Sequence, residues 1–166
     1  MKLYSEYFSK ILCVAVSEMH YSKKMQNAEK TDELIQHAIS CYNYRAYDVD
    51  IFFEIPMLVL YGKIDGRIID LARIFRAVNL IVKDWNDLEH DLKNETLTPV
   101  VIIAMNHPEN AKNYIMDILE HYHSEINKVL EGMSSDGLMY LVTTKIAEMA
   151  NAEIERFRES YLLGWR

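Results

Sequence analysis

The sequence predicts an all-α protein, an antiparallel bundle of about five to six helices forming a single helical domain over residues 1–166. Three observations carry that prediction. Apolar residues recur at helical spacing in nearly every segment, no segment alternates with the period of two that a half-buried strand needs, and the stretches marked by Gly, Pro and Asn are short. With 166 residues, half of them hydrophobic, the chain is long enough to close one well-formed core.

The elements follow in order. Leu3, Tyr7, Ile11, Val14 and Met19 wind onto one face and predict a first helix over about residues 3–28. Thr31 has the side chain of an N-cap, and a second helix should run from Asp32 through Tyr44 and Phe52. Pro56, which lacks an amide donor, should kink or split it before Gly62. Asp65 opens a third helix that should end near Asn94. Thr96-Leu97-Thr98-Pro99 then restarts a short buried helix through Met105, because a hydroxyl N-cap followed by Pro suits a first turn. Asn106-His107-Pro108 breaks the chain, Glu109 to Glu131 reads as an amphipathic helix, Gly132 and Ser134 to Gly137 read as a turn, and a last helix should cover about Leu138 to Leu162.

Composition removes several function classes. Eighteen Lys and Arg against 25 Asp and Glu give a net charge of −7 without a basic run, which argues against a nucleic-acid partner or an anionic bilayer. The apolar run Ile11 to Val16 lies between charges and is too short for an integral membrane segment or a signal core, so the expectation is a soluble, cytoplasmic protein. Cys13 and Cys41 lack CxxC or zinc-finger spacing and read as reduced, buried core thiols. No GxGxxG, Walker or GxSxG pattern occurs, so the usual phosphate loops and nucleophile elbows are missing. Eleven Tyr and nine Met spread along the helices are expected to pack the core.

Chemistry concentrates near the end of the third helix. Asp84, Asp87 and Asp91 stand at i, i+3 and i+7, and the same face continued backward holds Leu80 and Ala77. Three carboxylates that continue an inward, apolar stripe suit a cation. Mg²⁺ takes oxygen ligands and completes its octahedron with water and phosphate oxygens, so the guest would be a diphosphate ester with its hydrocarbon tail along the apolar wall. The other reading is a solvated acidic helix end beside Lys83 and Lys93.

Lys83-Asp84-Trp85-Asn86-Asp87, then Asp91, then Thr96-Leu97-Thr98-Pro99-Val100-Val101 and an apolar run to Met105, resembles the second aspartate-rich region of all-trans isoprenyl (polyprenyl) diphosphate synthases. Tyr44-Arg45-Ala46 resembles that family's diphosphate-contacting pair, and Phe52, Phe53 and Pro56 resemble the helix after it. Terpene cyclases share the fold, and their NDxxSxxxE motif would fall on Lys83, Asp84, Asp87 and Asp91. The resemblance implies the carboxy-terminal half of a class I terpenoid synthase fold and a role in isoprenoid biosynthesis. It implies Mg²⁺ as cofactor on Asp84, Asp87 and Asp91, which would be both metal ligands and catalytic residues, with Arg45, Lys83 and Lys93 holding the diphosphate of a prenyl diphosphate. Such a prenyltransferase or terpene synthase ionises an allylic diphosphate in a dry pocket.

The sequence departs from the family at several points: Asn79 and Leu80 stand where a Gln is expected, Thr98 is inserted before Pro99, Lys93 sits one position early, and two departures bear on the metal site. Lys83 replaces the first aspartate, and the family's first aspartate motif, carried on an opposing helix, occurs nowhere in this chain. The resemblance therefore implies a homo- or hetero-oligomer, or a partner segment, that supplies the missing half. Two alternatives stand beside it. One is a noncatalytic helical subunit that keeps the fold without the complete metal site. The other is a di-metal carboxylate bundle built on Glu120-His121-Tyr122-His123 and Asp87-Leu88-Glu89-His90, with Glu18, Glu54 and Glu148 from other helices.

Overall fold

A computed structural model describes residues 2–131 and 137–162, and among these every regular element is helical. The eight α-helices are α1 Lys2–Gln26, α2 Thr31–Arg45, α3 Asp50–Tyr61, α4 Gly66–Asn86, α5 Leu88–Lys93, α6 Pro99–Asn106, α7 Ala111–Glu131 and α8 Leu138–Leu162. A 3-10 turn, Ala46–Val49, joins α2 to α3. The expected turn residues Gly132, Ser134, Ser135 and Asp136 lie outside the described residues.

The surplus over five to six helices has two causes. The expected second helix breaks at Ala46–Val49 rather than at Pro56, which is carried inside α3. Asp48 pairs with Arg76 at 2.6 Å and Asp50 pairs with Arg73 at 2.7 Å. Residues two apart in an α-helix point about 200° away from each other, so one straight helix could not aim both carboxylates at α4. The expected third helix stops at Asn86, and Asp87 is at once the C-cap of α4 and the residue before α5.

Caps set the other boundaries as sequence chemistry dictates. Asp65 accepts a 3.0 Å hydrogen bond from the Arg67 amide at the start of α4, and Thr98 accepts a 3.3 Å bond from the Val101 amide, with Pro99 as the first residue of α6. Gly62 ends α3 at φ +69°, a conformation that costs a side-chain-bearing residue more than glycine. Thr31 is not the N-cap of α2: Lys30 holds that position and Thr31 is the first helical residue.

Helix α4 runs through the centre and packs on α2, α3, α6, α7 and α8, while α1 lies along α2 and touches α6. The core joins Leu71, Val78 and Ile81 of α4 to Tyr42 of α2, Ile103 of α6, Ile118 and Tyr122 of α7 and Ile154 of α8. Phe157 meets Trp85 edge to face at 5.7 Å and closes the α4–α8 contact. Cys41 is buried as expected, but Cys13 is exposed, because α1 turns that side away from the bundle. No helix among the described residues is long and apolar enough to cross a membrane.

Candidate functional site

The acidic stripe is distributed over three environments. Asp84, in the last turn of α4, is 2% exposed. Its Oδ2 accepts from the Tyr42 hydroxyl at 3.0 Å and from Arg45 Nη1, while Oδ1 receives Arg45 Nη2 at 3.4 Å. Arg45 Nε lies 3.0 Å from Glu18 Oε1 on α1, and its guanidinium rests 5.3 Å from the Tyr42 ring centre. A buried carboxylate needs such partners, since desolvation of an unpaired charge costs several kcal/mol.

The electrostatics fit a closed pair. Burial works against the Arg45 charge, but the hydrogen bond and charge of Asp84 outweigh it and hold the guanidinium more firmly protonated than usual. Burial, reinforced by the charge of Asp84, pushes the Tyr42 phenol well above its ordinary range, so it stays a donor. Next to it, burial pushes the Cys41 thiol up to about 12.

Asp87 faces outward. Its carboxylate meets Lys83 Nζ at 2.9 Å one turn back along α4, and that hydrogen bond raises the Lys83 pKa. Asp91 belongs to α5, beyond the helix break, and its carboxylate lies 3.6 Å from His90 Nδ1. Lys93 is exposed at the end of α5. Of the six residues expected to form a diphosphate–metal wall, the structure thus brings Asp84 to Arg45 and Asp87 to Lys83, each in a direct ion pair. The expectation that Asp84, Asp87 and Asp91 share one helical face ends at Asp87, where α4 stops.

A Mg²⁺ site asks for converging carboxylate oxygens with water in the remaining positions. Both Asp84 oxygens are taken by protein donors, and Asp87 points to a lysine instead. Among the described residues, no group of three or more His, Cys, Asp or Glu side chains is placed to hold a metal ion. Apart from the neighbours Glu120 and His123 on α7, the carboxylates of the di-metal alternative are engaged with other partners. Glu120 pairs with Arg158 and lies 3.7 Å from His123, Glu18 pairs with Arg45, Glu54 with Tyr7 and Lys10, and Glu148 with Lys145.

Comparison with known proteins adds no relative. The chain matches no family model, no curated protein and no solved structure.

Two features escaped the sequence reading. One is Tyr42, whose hydroxyl completes the Asp84 pair. The other is a second buried ion cluster, in which fully buried Asp50 binds Arg73 through two bonds of 2.8 and 2.7 Å and Lys10 of α1 at 2.7 Å. The spacing of Arg73 and Arg76 on one face of α4, opposite Asp48 and Asp50, is the signal that could have located it. A cleft of about 760 Å³, open to solvent, lies beside Trp85, Leu88, Arg156 and Phe157.

Proposed function

We propose that this chain is a noncatalytic helical module resembling the carboxy-terminal half of a class I terpenoid synthase, in which the residues expected to form a diphosphate–metal wall serve as structural ion pairs. One observation carries the reading: Asp84, the residue that would hold Mg²⁺, is bound through both oxygens by Arg45, the residue that would hold diphosphate. Acid and base neutralise each other. Neither retains the unmet charge that would draw a metal ion or an anion into a buried site. Tyr42 and Glu18 fix the two ends of that pair and so link α1, α2 and α4.

The test is titration calorimetry of the intact chain with geranyl and farnesyl diphosphate, with and without Mg²⁺. The noncatalytic reading expects no Mg²⁺-dependent heat and no release of diphosphate. Mg²⁺-dependent binding that disappears in Asp84→Ala overturns it.

A second reading is an isoprenoid-diphosphate-binding half that a partner segment completes. What favours it is the placement of Lys83, Asp87 and exposed Lys93 around the α4–α5 junction, where an added wall could reach them. In that reading the partner brings the first aspartate motif, Asp87 exchanges Lys83 for Mg²⁺, and the lysines hold the diphosphate. Binding that appears only when the partner segment is restored would select it.

A further inference from the structure

Basic side chains converge at one end of the α1–α2 pair. The last turns of α1 supply His20, Lys23 and Lys24, and α2 supplies His37 from its N-terminal half. With Asn27 and Glu33 they line a solvent-open pocket of about 470 Å³. His20, His37 and Lys24 gather around the Tyr21 ring: the imidazoles lie 5.2 and 6.1 Å from its centre and Lys24 Nζ 5.6 Å. The pocket is about two helical turns along α2 from Arg45, apart from the Asp84 pair. Its charges run against the trend of the molecule. The chain carries −7, and each described arginine is in an ion pair with a carboxylate. Lys23 and Lys24 form none, and among the described lining residues Glu33 is the one carboxylate. Lysines in a last turn complement the helix dipole, which accounts for Lys23 and Lys24 but not for two histidines converging with them.

We propose that this pocket is an anion site for a phosphate monoester, held by Lys23 and Lys24 with His20 and His37 donating from its two walls. A dianion matches two lysines whose charges no carboxylate has taken. The volume leaves room beside the phosphate for a small organic body. A divalent cation is disfavoured by the same lysines, and a long polyanion by the net charge of the chain. Binding should take up a proton. His37 faces Lys24, His20 and Tyr21 from α1 and Glu33 from its own helix. Burial holds its pKa below the ordinary value, the charges of Lys24 and His20 lower it further, and Glu33 opposes them. Crowded like charges cost free energy, and a bound anion turns that crowding into attraction. The anion therefore favours the charged imidazole, and binding tightens as the pH falls.

Calorimetry and imidazole proton NMR of the whole chain test this, with inorganic phosphate as one probe and sulfate, a dianion at every pH used, as the probe of proton linkage. Sulfate should bind about tenfold more tightly at about pH 5 than at about pH 8, and saturating sulfate should move the His37 titration upward. His37→Gln should remove most of that gain and leave the affinity at the higher pH unchanged. Lys23→Gln/Lys24→Gln should weaken binding about tenfold or more at both values, with helix content by circular dichroism unaltered because both side chains are exposed. Lys63→Gln, an exposed lysine between α3 and α4, should bind as the unaltered protein does. Glycerol phosphate in solution and vesicles carrying phosphatidic acid present the same group from two sources, and the one whose binding is lost in Lys23→Gln/Lys24→Gln identifies which the site takes. No saturable binding of any of these probes, or binding that survives Lys23→Gln/Lys24→Gln, overturns the proposal. Sulfate affinity that is equal at both pH values overturns the part given to His37.

Discussion

Replacing Asp84 with alanine separates a structural ion pair from a metal ligand by the sign of the stability change. The carboxylate is 2% exposed and the Arg45 side chain 15% exposed, so the loss falls on groups that water cannot easily rescue. Arg45 would keep only Glu18, whose side chain is 45% exposed, and the Tyr42 hydroxyl would lose its acceptor. Removing one partner of a buried pair costs about 3–5 kcal/mol. The orphaned Tyr42 hydroxyl accounts for about 1–3 kcal/mol of that. With a urea slope of about 2 kcal/mol per molar, the unfolding midpoint should fall by about 1.5–2.5 M. Far-UV circular dichroism in urea, with and without Mg²⁺, is the assay. Three unpaired carboxylates poised for a metal would repel one another, so deleting one from a metal site would stabilise the metal-free protein. A gain in stability, or a loss below about 1 kcal/mol, refutes the ion-pair reasoning. Asp87→Ala is the internal control: its exposed pair with Lys83 contributes at most about 0.5 kcal/mol, so its midpoint should barely move.

Three further outcomes follow from the same structure. Burial alone would raise the Asp50 pKa, but hydrogen bonds from Arg73 and Lys10 overcome it and hold the carboxyl below its usual value of about 3.9. The unfolded chain then takes up that proton first, so the contribution is fully present above pH about 4 and lost as pH falls through the lowered value. Asp50→Asn should flatten this part of the acid limb, measured as urea midpoints between pH 6 and pH 3, and an unchanged acid limb would contradict the role of Asp50. Thr98→Ala removes the α6 cap and should cost about 1 kcal/mol by urea unfolding, with faster amide exchange at Val101. One thiol, Cys13, should react with a maleimide in the native protein, whereas Cys41, buried and shifted up to about 12, should react only in denaturant. Equal reactivity of both would contradict the packing of α2.

Helix identity was legible because it depends on local signals. The caps Asp65 and Thr98-Pro99 bind amides within three residues of themselves, and the apolar spacing of α7 and α8 requires no knowledge of a partner. Arg156 and Arg158 meet Glu153 and Glu155 three residues away, as their spacing predicts. The breaks at Ala46–Val49 and Asp87 were not legible, because their causes lie elsewhere in the chain. Asp48 and Asp50 obey Arg76 and Arg73, more than 20 residues distant. Cys13 was misplaced for a similar reason, since which side of α1 faces inward is decided by Asp50, Glu54 and Arg45.

By itself the sequence determined that this protein is helical, where most helices start and stop, and that Asp84, Asp87 and Asp91 are an unusual ending for an apolar stripe. Only the tertiary structure decided what those carboxylates do. Charge pairing is a property of distance in space, and folding brings Arg45 and Tyr42, some 40 residues away, within hydrogen-bonding reach of Asp84. The same packing ties Lys10 and Glu18 of α1 to Asp50 and Arg45 and leaves Phe8, Leu12 and Val16 exposed, which no local rule of helix amphipathicity could foresee.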